Sequence, residues 1–223
     1  MRLVSVAWTL LLGLIVVGCA GATSSSSGTG PAMAAPSGSA APLPSPSGSG
    51  GSRYATVRFG VPLSVSVAPL LISAPTDEAP GLLSWTAIGN PNNKVRFLVP
   101  AEVYPPNAAR PVPPPKDFLG YIKSLADHGA LYGQMSTKTV DGVQATLVTA
   151  KASLSLDGSL GCPTIGADRS QDCFGLQPDL ALRIAVLDVN GTPLLIWART
   201  DAQAPDTAFV AAFEDMLATV DFK

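Results

Sequence analysis

The chain has 223 residues, a formal net charge of −2 and no run of Lys or Arg. Without a basic cluster, nucleic acid is excluded as a partner, because such binding sets Lys and Arg against phosphates. A polybasic patch lying on anionic lipid is excluded for the same reason, while the length leaves room for one domain with a real core.

Residues 3–19 read LVSVAWTLLLGLIVVGC, with Arg2 ahead of them and no charge inside. A positive start, an apolar run and a small residue before a break make a secretory signal. The ending Val16-Val17-Gly18-Cys19 resembles a bacterial lipobox, in which cleavage precedes the cysteine and its sulfur takes a diacylglyceryl group. The competing reading is an uncleaved transmembrane anchor, but the run falls short of the ~20 residues a spanning helix needs. Either way the rest of the chain lies outside the cytoplasm. The expected division is a lipoprotein signal peptide at 1–18, lipidated Cys19 with a linker at 19–53, and one α+β domain at 54–223. Acyl chains on Cys19 are the expected membrane contact, each buried CH₂ adding ~0.8 kcal/mol.

Residues 20–53 are Ser, Gly, Ala and Pro, with almost no charge and no hydrophobic period. Such a segment cannot bury a core. As a flexible coil it spans roughly 30–35 Å and lifts the domain from the membrane. Its Ser and Thr offer sites for O-linked sugars.

Order is expected from Tyr54. Val57, Phe59, Leu63, Val65 and Val67 follow the two-residue period of a half-buried strand, with Pro62 marking an edge or a crossing. Residues 82–88 and 94–99 read as strands around a turn at 89–93, Gly-Asn-Pro-Asn-Asn. Residues 100–115 are proline-rich and should cross the surface in extended form, as a connection or as a docking segment.

Phe118, Tyr121, Ile122 and Leu125 share one face of an expected helix over 116–128, stopped by Gly129. His128, the one histidine, falls in its last turn, where the helix dipole favours positive charge at a surface position. Asp141-Gly142 and Asn190-Gly191 each suit a two-residue type I′ turn. They join 134–140 to 143–154 and 180–189 to 192–200. In the second hairpin that loop pairs Ile184 with Trp197, Val186 with Leu195, Leu187 with Leu194 and Ala185 with Ile196. Both faces of the hairpin are then apolar, so its strands should be covered on both sides. The cover is the second helix, a loop such as 100–115, or a bound ligand. Asn190-Gly191-Thr192 also fits an N-glycosylation pattern, but in a bacterial lipoprotein the hairpin is much the better reading.

Three cysteines are odd in number for an exported protein. With Cys19 taken by lipid, Cys162 and Cys173 remain to pair in an oxidising compartment. Their short loop, placed at the rim of the sheet within 158–177, would stabilise the fold by about 2–3 kcal/mol. A metal site lacks the ligands for a tetrahedral set. Residues 206–219 form the second expected helix, with Pro205 at its first position and Phe209, Phe213, Met216, Leu217 and Val220 as a core stripe.

The chain contains no nucleophile elbow, phosphate loop, His-Glu-x-x-His or dinucleotide fingerprint. No catalytic residue, cofactor or metal is therefore expected. The order of elements, with the motifs Val140-Asp141-Gly142, Val189-Asn190-Gly191-Thr192-Pro193-Leu194 and Phe213-Glu214-Asp215-Met216-Leu217, resembles the actinobacterial lipoproteins of the LpqN type. Their domain is similar to Mog1p and PsbP. The resemblance covers 82–223 and implies an antiparallel sheet flanked by helices, a three-layer α/β/α domain that is not an enzyme and that binds or assists other components. The expected function is a non-enzymatic accessory module, lipid-anchored on the outer side of the cell membrane and working on an unknown envelope protein. The alternative is a carrier of an amphiphilic ligand in an apolar cavity beside Ile184 and Trp197, and the third reading is a hydrolase with a dispersed site.

Overall fold

A computed structural model describes residues 51–223. The signal peptide, Cys19 and the linker up to residue 50 lie outside the described residues. Two short strands, β1 (Arg53–Thr56) and β2 (Leu63–Ser66), pair antiparallel through Tyr54↔Val65. The alternation expected between them breaks before Pro62: Val57 points to solvent, whereas Phe59 is buried.

β3 (Asp77–Ala79), β4 (Leu82–Ala87) and β5 (Asn90–Leu98) form an antiparallel ribbon. The turn expected at 89–93 is tighter than that. Only residues 88 and 89 turn, with Gly89 at φ 75°, and β5 already starts at Asn90. The register shifts between Thr86 and Ala87, which leaves 91–93 as a bulge. Pro91 sits there because a bulge asks no ladder hydrogen bond of it.

α1 (Phe118–Ser124) starts on Asp117, whose carboxylate accepts the Gly120 N–H at 2.7 Å. It tightens into a 3₁₀ turn, Leu125–His128, closed by Gly129 at φ 102°. The helix expected over 116–128 is therefore one short α-helix and one tighter turn, with Phe118, Ile122 and Leu125 inward. After β6 (Ala130–Tyr132), the strands β7 (Ser136–Val140) and β8 (Val143–Ala152) form the first expected hairpin, and β9 (Leu180–Val189) and β10 (Thr192–Asp201) the second. β8 stops at Ala152, two residues early, and Leu154 is exposed. Asp141, Gly142, Asn190 and Gly191 all have positive φ, as a type I′ turn requires. The resulting register is the expected one, Trp197↔Ile184, Leu195↔Val186, Leu194↔Leu187 and Ile196↔Ala185. α2 (Thr207–Leu217) is capped by Asp206, which accepts the Phe209 N–H at 2.9 Å. Pro205 thus lies one residue outside the cap, not at the first helical position. β11 (Asp221–Phe222) returns to pair with β2.

Among the described residues the strands make two sheets. One has three, in the order β1-β2-β11; the other has eight, in the order β3-β4-β5-β10-β9-β8-β6, with β7 also on β8. Every pairing is antiparallel, so the class is α+β with an antiparallel sheet flanked by helices.

Both faces of the eight-stranded sheet are covered. On one, Trp85, Phe97, Leu187 and Ile196 pack with Phe209, Phe213, Met216 and Leu217 of α2 and with Leu63 and Val65 of the small sheet. On the other, Ile184, Val186, Leu195 and Trp197 pack with Phe118, Ile122 and Leu125 of α1 and its 3₁₀ turn. Val103 from the proline-rich stretch and Leu156, Leu160 and Leu176 complete that layer. Each outer layer is thus part helix: a small sheet joins α2, and irregular chain joins α1. The 158–177 loop does not decorate the rim as expected. Leu160 and Leu176 are buried, and the loop forms part of the roof over the second face.

A basic pocket under the disulfide loop

Cys162 and Cys173 are joined by a disulfide. The loop they close is tied down on several sides. Cys162 N–H donates to the Glu102 carbonyl at 2.8 Å, Phe174 N–H to the Gly161 carbonyl at 2.9 Å, and Leu160 N–H to the Phe174 carbonyl at 2.6 Å. Inside the loop, the buried Glu102 carboxylate accepts the N–H groups of Gly166 and Ala167 at 3.1 and 3.2 Å. A carboxylate so placed satisfies two loop amides, a structural task. Tyr121 donates to the Ser159 carbonyl at 2.7 Å, and Tyr132 to the Ile122 carbonyl at 2.6 Å. Burial pushes the Tyr121 phenol up to about 12. The Tyr132 phenol is raised as well, first by burial and then by Tyr121.

These ties set Phe174, the residue after Cys173, edge-on to Trp197 with ring centres 5.3 Å apart. The other face of attraction is Arg96, whose guanidinium lies 4.7 Å from the Phe174 centroid, within cation–π range. The apolar cavity expected beside Ile184 and Trp197 is therefore filled by side chains. What remains there is a cleft of about 60 Å³, walled by Arg96, Leu160, Phe174, Trp197 and Arg199 among others.

Arg96 and Arg199 wall this cleft, and Lys94 stands beside Arg199 on the neighbouring strand. β5 and β10 pair Lys94 with Arg199 and Arg96 with Trp197. Cross-strand partners and residues two apart along a strand share a face of the sheet, so Lys94, Arg96, Trp197 and Arg199 stand together. Burial lowers the Arg96 pKa to about 10, helped by the nearby Arg199 charge. Burial, then Arg96 and Arg199, lower that of Lys94, and burial lowers that of Arg199. Asp77 and Asp179 act on the group in the opposite sense. The linear sequence shows no basic cluster; folding makes one. No signal along the chain could have revealed it, because the three residues meet only through the pairing of β5 with β10.

The other expected site residues are dispersed. Cys19 lies outside the described residues. His128 is exposed at the end of the 3₁₀ turn. Among the described residues, no group of three His, Cys, Asp or Glu is placed to hold a metal ion, and no helix is long and apolar enough to cross a membrane. An open groove of about 280 Å³, walled by Ala181, Leu182, Pro205 and Val210 together with Thr149 and Arg183, runs beside the start of α2.

No family model matches the chain, and no curated protein matches it. Among solved structures, the solution structure of cyanobacterial PsbP (CyanoP) from Synechocystis sp. PCC 6803 aligns with 82% of this chain and all of that one, at 12% identity and a TM-score of 0.41. A likeness that loose carries no argument about kinship or role.

Proposed function

We propose that the chain is a non-enzymatic accessory module of the cell envelope, tethered by acyl groups on Cys19 and acting through contacts made by its folded domain. The observation that supports contact over chemistry is the packing. Both faces of the large sheet are occupied by the chain's own side chains, and the one buried carboxylate at the loop, Glu102, is engaged by backbone amides. The tether is supported by the Val-Val-Gly-Cys ending of the N-terminal apolar run. Kinship with the LpqN type belongs to the same proposal and rests on the motifs alone.

Replacing Cys19 tests the tether. The wild-type chain should fractionate with membranes and the Cys19→Ser chain should not. Equal membrane retention of both, or a soluble wild type, would sink it. Carriage of an amphiphile is the second reading, favoured by the apolar-walled groove at Pro205 and Val210. Native mass spectrometry of the Cys19→Ser chain separates the two. A chain free of bound lipid supports the contact module, and one lipid held per chain supports the carrier.

A further inference from the structure

We propose that Arg96 and Arg199, with Lys94 beside them, form a binding site for a phosphate group, in the cleft roofed by Phe174. This goes beyond the accessory reading and does not depend on lipid at Cys19. Its first support is that, among the described residues, none of the three cations sits in an ion pair. Arg53, Arg169, Arg183 and Lys223 each pair with an acid within 3.0 Å or less. Among the described residues, Lys94, Arg96 and Arg199 make no such pair. Arg199 donates its Nε–H only to the Asn92 carbonyl, at 2.9 Å.

The second support is independent of charge. The Nε of Arg96 is buried without a hydrogen-bond partner, and so is the hydroxyl of Ser84, its cross-strand neighbour on β4. Ser84 is fully buried. Buried polar groups are paired in the great majority of cases, and an orphan calls for an explanation. Of the two, Arg96 walls the cleft, and its unpaired guanidinium nitrogen suits a ligand rich in acceptor oxygens.

Size and chemistry narrow the ligand. The cleft of about 60 Å³ admits a compact oxyanion and no acyl chain. Burial destabilises all three cations, and repulsion adds to it at Lys94 and Arg96, so the group gains most from a ligand carrying more than one negative charge. Arginine's planar fork meets phosphate oxygens in pairs, and lysine adds a point charge. The edge-on pair Phe174 and Trp197 makes one wall apolar, which strengthens the attraction.

The test is a thermal-shift and calorimetric titration of the full chain in detergent with inorganic phosphate, at constant ionic strength. Sodium chloride and sodium acetate serve as controls. Saturable binding in the millimolar range or tighter is expected, weakened at least tenfold in Arg96→Met and in Arg199→Gln and unchanged in Arg183→Gln. Should Arg96→Met fail to fold, Arg199→Gln decides. The proposal is overturned if phosphate does no more than chloride, if acetate matches it, or if the folded variants bind as the wild type does. Soluble dihexanoyl phosphatidic acid distinguishes the source of the phosphate. Binding tenfold tighter than inorganic phosphate assigns a phospholipid headgroup, and equal or weaker binding assigns the free ion; both keep the site.

Discussion

The two faces of the eight-stranded sheet are covered by opposite means. Over one, α2 and the small sheet lay down regular apolar side chains, and Phe209, Phe213, Met216 and Leu217 are all buried. Over the other, regular structure is scarce: one short helix, a proline-rich crossing and a loop held by a disulfide. The first cover is held mainly by hydrophobic area. The second adds polar and covalent ties, through Glu102, Tyr121, Tyr132 and Cys162–Cys173. A roof built that way tolerates charged residues beneath it, and the Lys94, Arg96 and Arg199 group lies on this side of the sheet.

The contrast breaks most visibly at Phe213. Truncation to Ala should cost about 3–5 kcal/mol, the usual range for a buried Phe, read as a shift in the urea midpoint; a near-neutral result would mean that α2 is not the hydrophobic cover described. Opening the disulfide comes next. Cys162→Ser should lower stability by about 2–3 kcal/mol in the chain-entropy model, and hydrogen exchange should rise over 156–177 while α2 stays protected. Equal loosening of α2 would show that the two covers are one cooperative unit. Glu102→Ala strands the Gly166 and Ala167 amides, and a buried donor left unpaired costs about 1–3 kcal/mol. The same exchange experiment should place its effect in the loop.

The smallest effect is silent at neutral pH. In the unfolded chain tyrosine ionises near 10, whereas burial holds the Tyr121 proton to about 12 and raises Tyr132 too. The unfolded state therefore loses those protons first. Stability from this source is whole below pH ~10 and declines as pH rises towards the folded value. Urea midpoints measured from pH 8 to 11.5 should fall at the alkaline end and fall less in Tyr121→Phe. A flat wild-type profile would contradict the buried phenols.

How legible each cover is in the sequence follows from the same difference. The α2 stripe repeats at helical spacing, and Asp141-Gly142 and Asn190-Gly191 spell out their turns, so one helix and two hairpin registers could be read locally. Cys162 and Cys173 were legible by elimination, as the two thiols left once Cys19 was set aside. The loop's place over the sheet was not, because Leu160 and Leu176 carry no period and are buried by distant strands. Glu102 read as one acid in a proline-rich stretch, and its amide partners lie more than sixty residues on. The turn at 89–93 misled because Asn and Pro favour turns but also suit a bulge, and the bulge is set by the pairing of β4 with β5. The basic pocket depends wholly on non-local register.

The three-stranded sheet has a mechanical consequence. It gathers the first strand and the last residues of the chain in one place, with Arg53 bonded to Asp221 at 3.0 Å and Lys223 N–H to the Pro62 carbonyl at 2.9 Å. A pull arriving from the N-terminal side meets β1 and its pairing with β2 first. The small sheet thus stands, along the chain, between that pull and the eight-stranded sheet with its basic pocket.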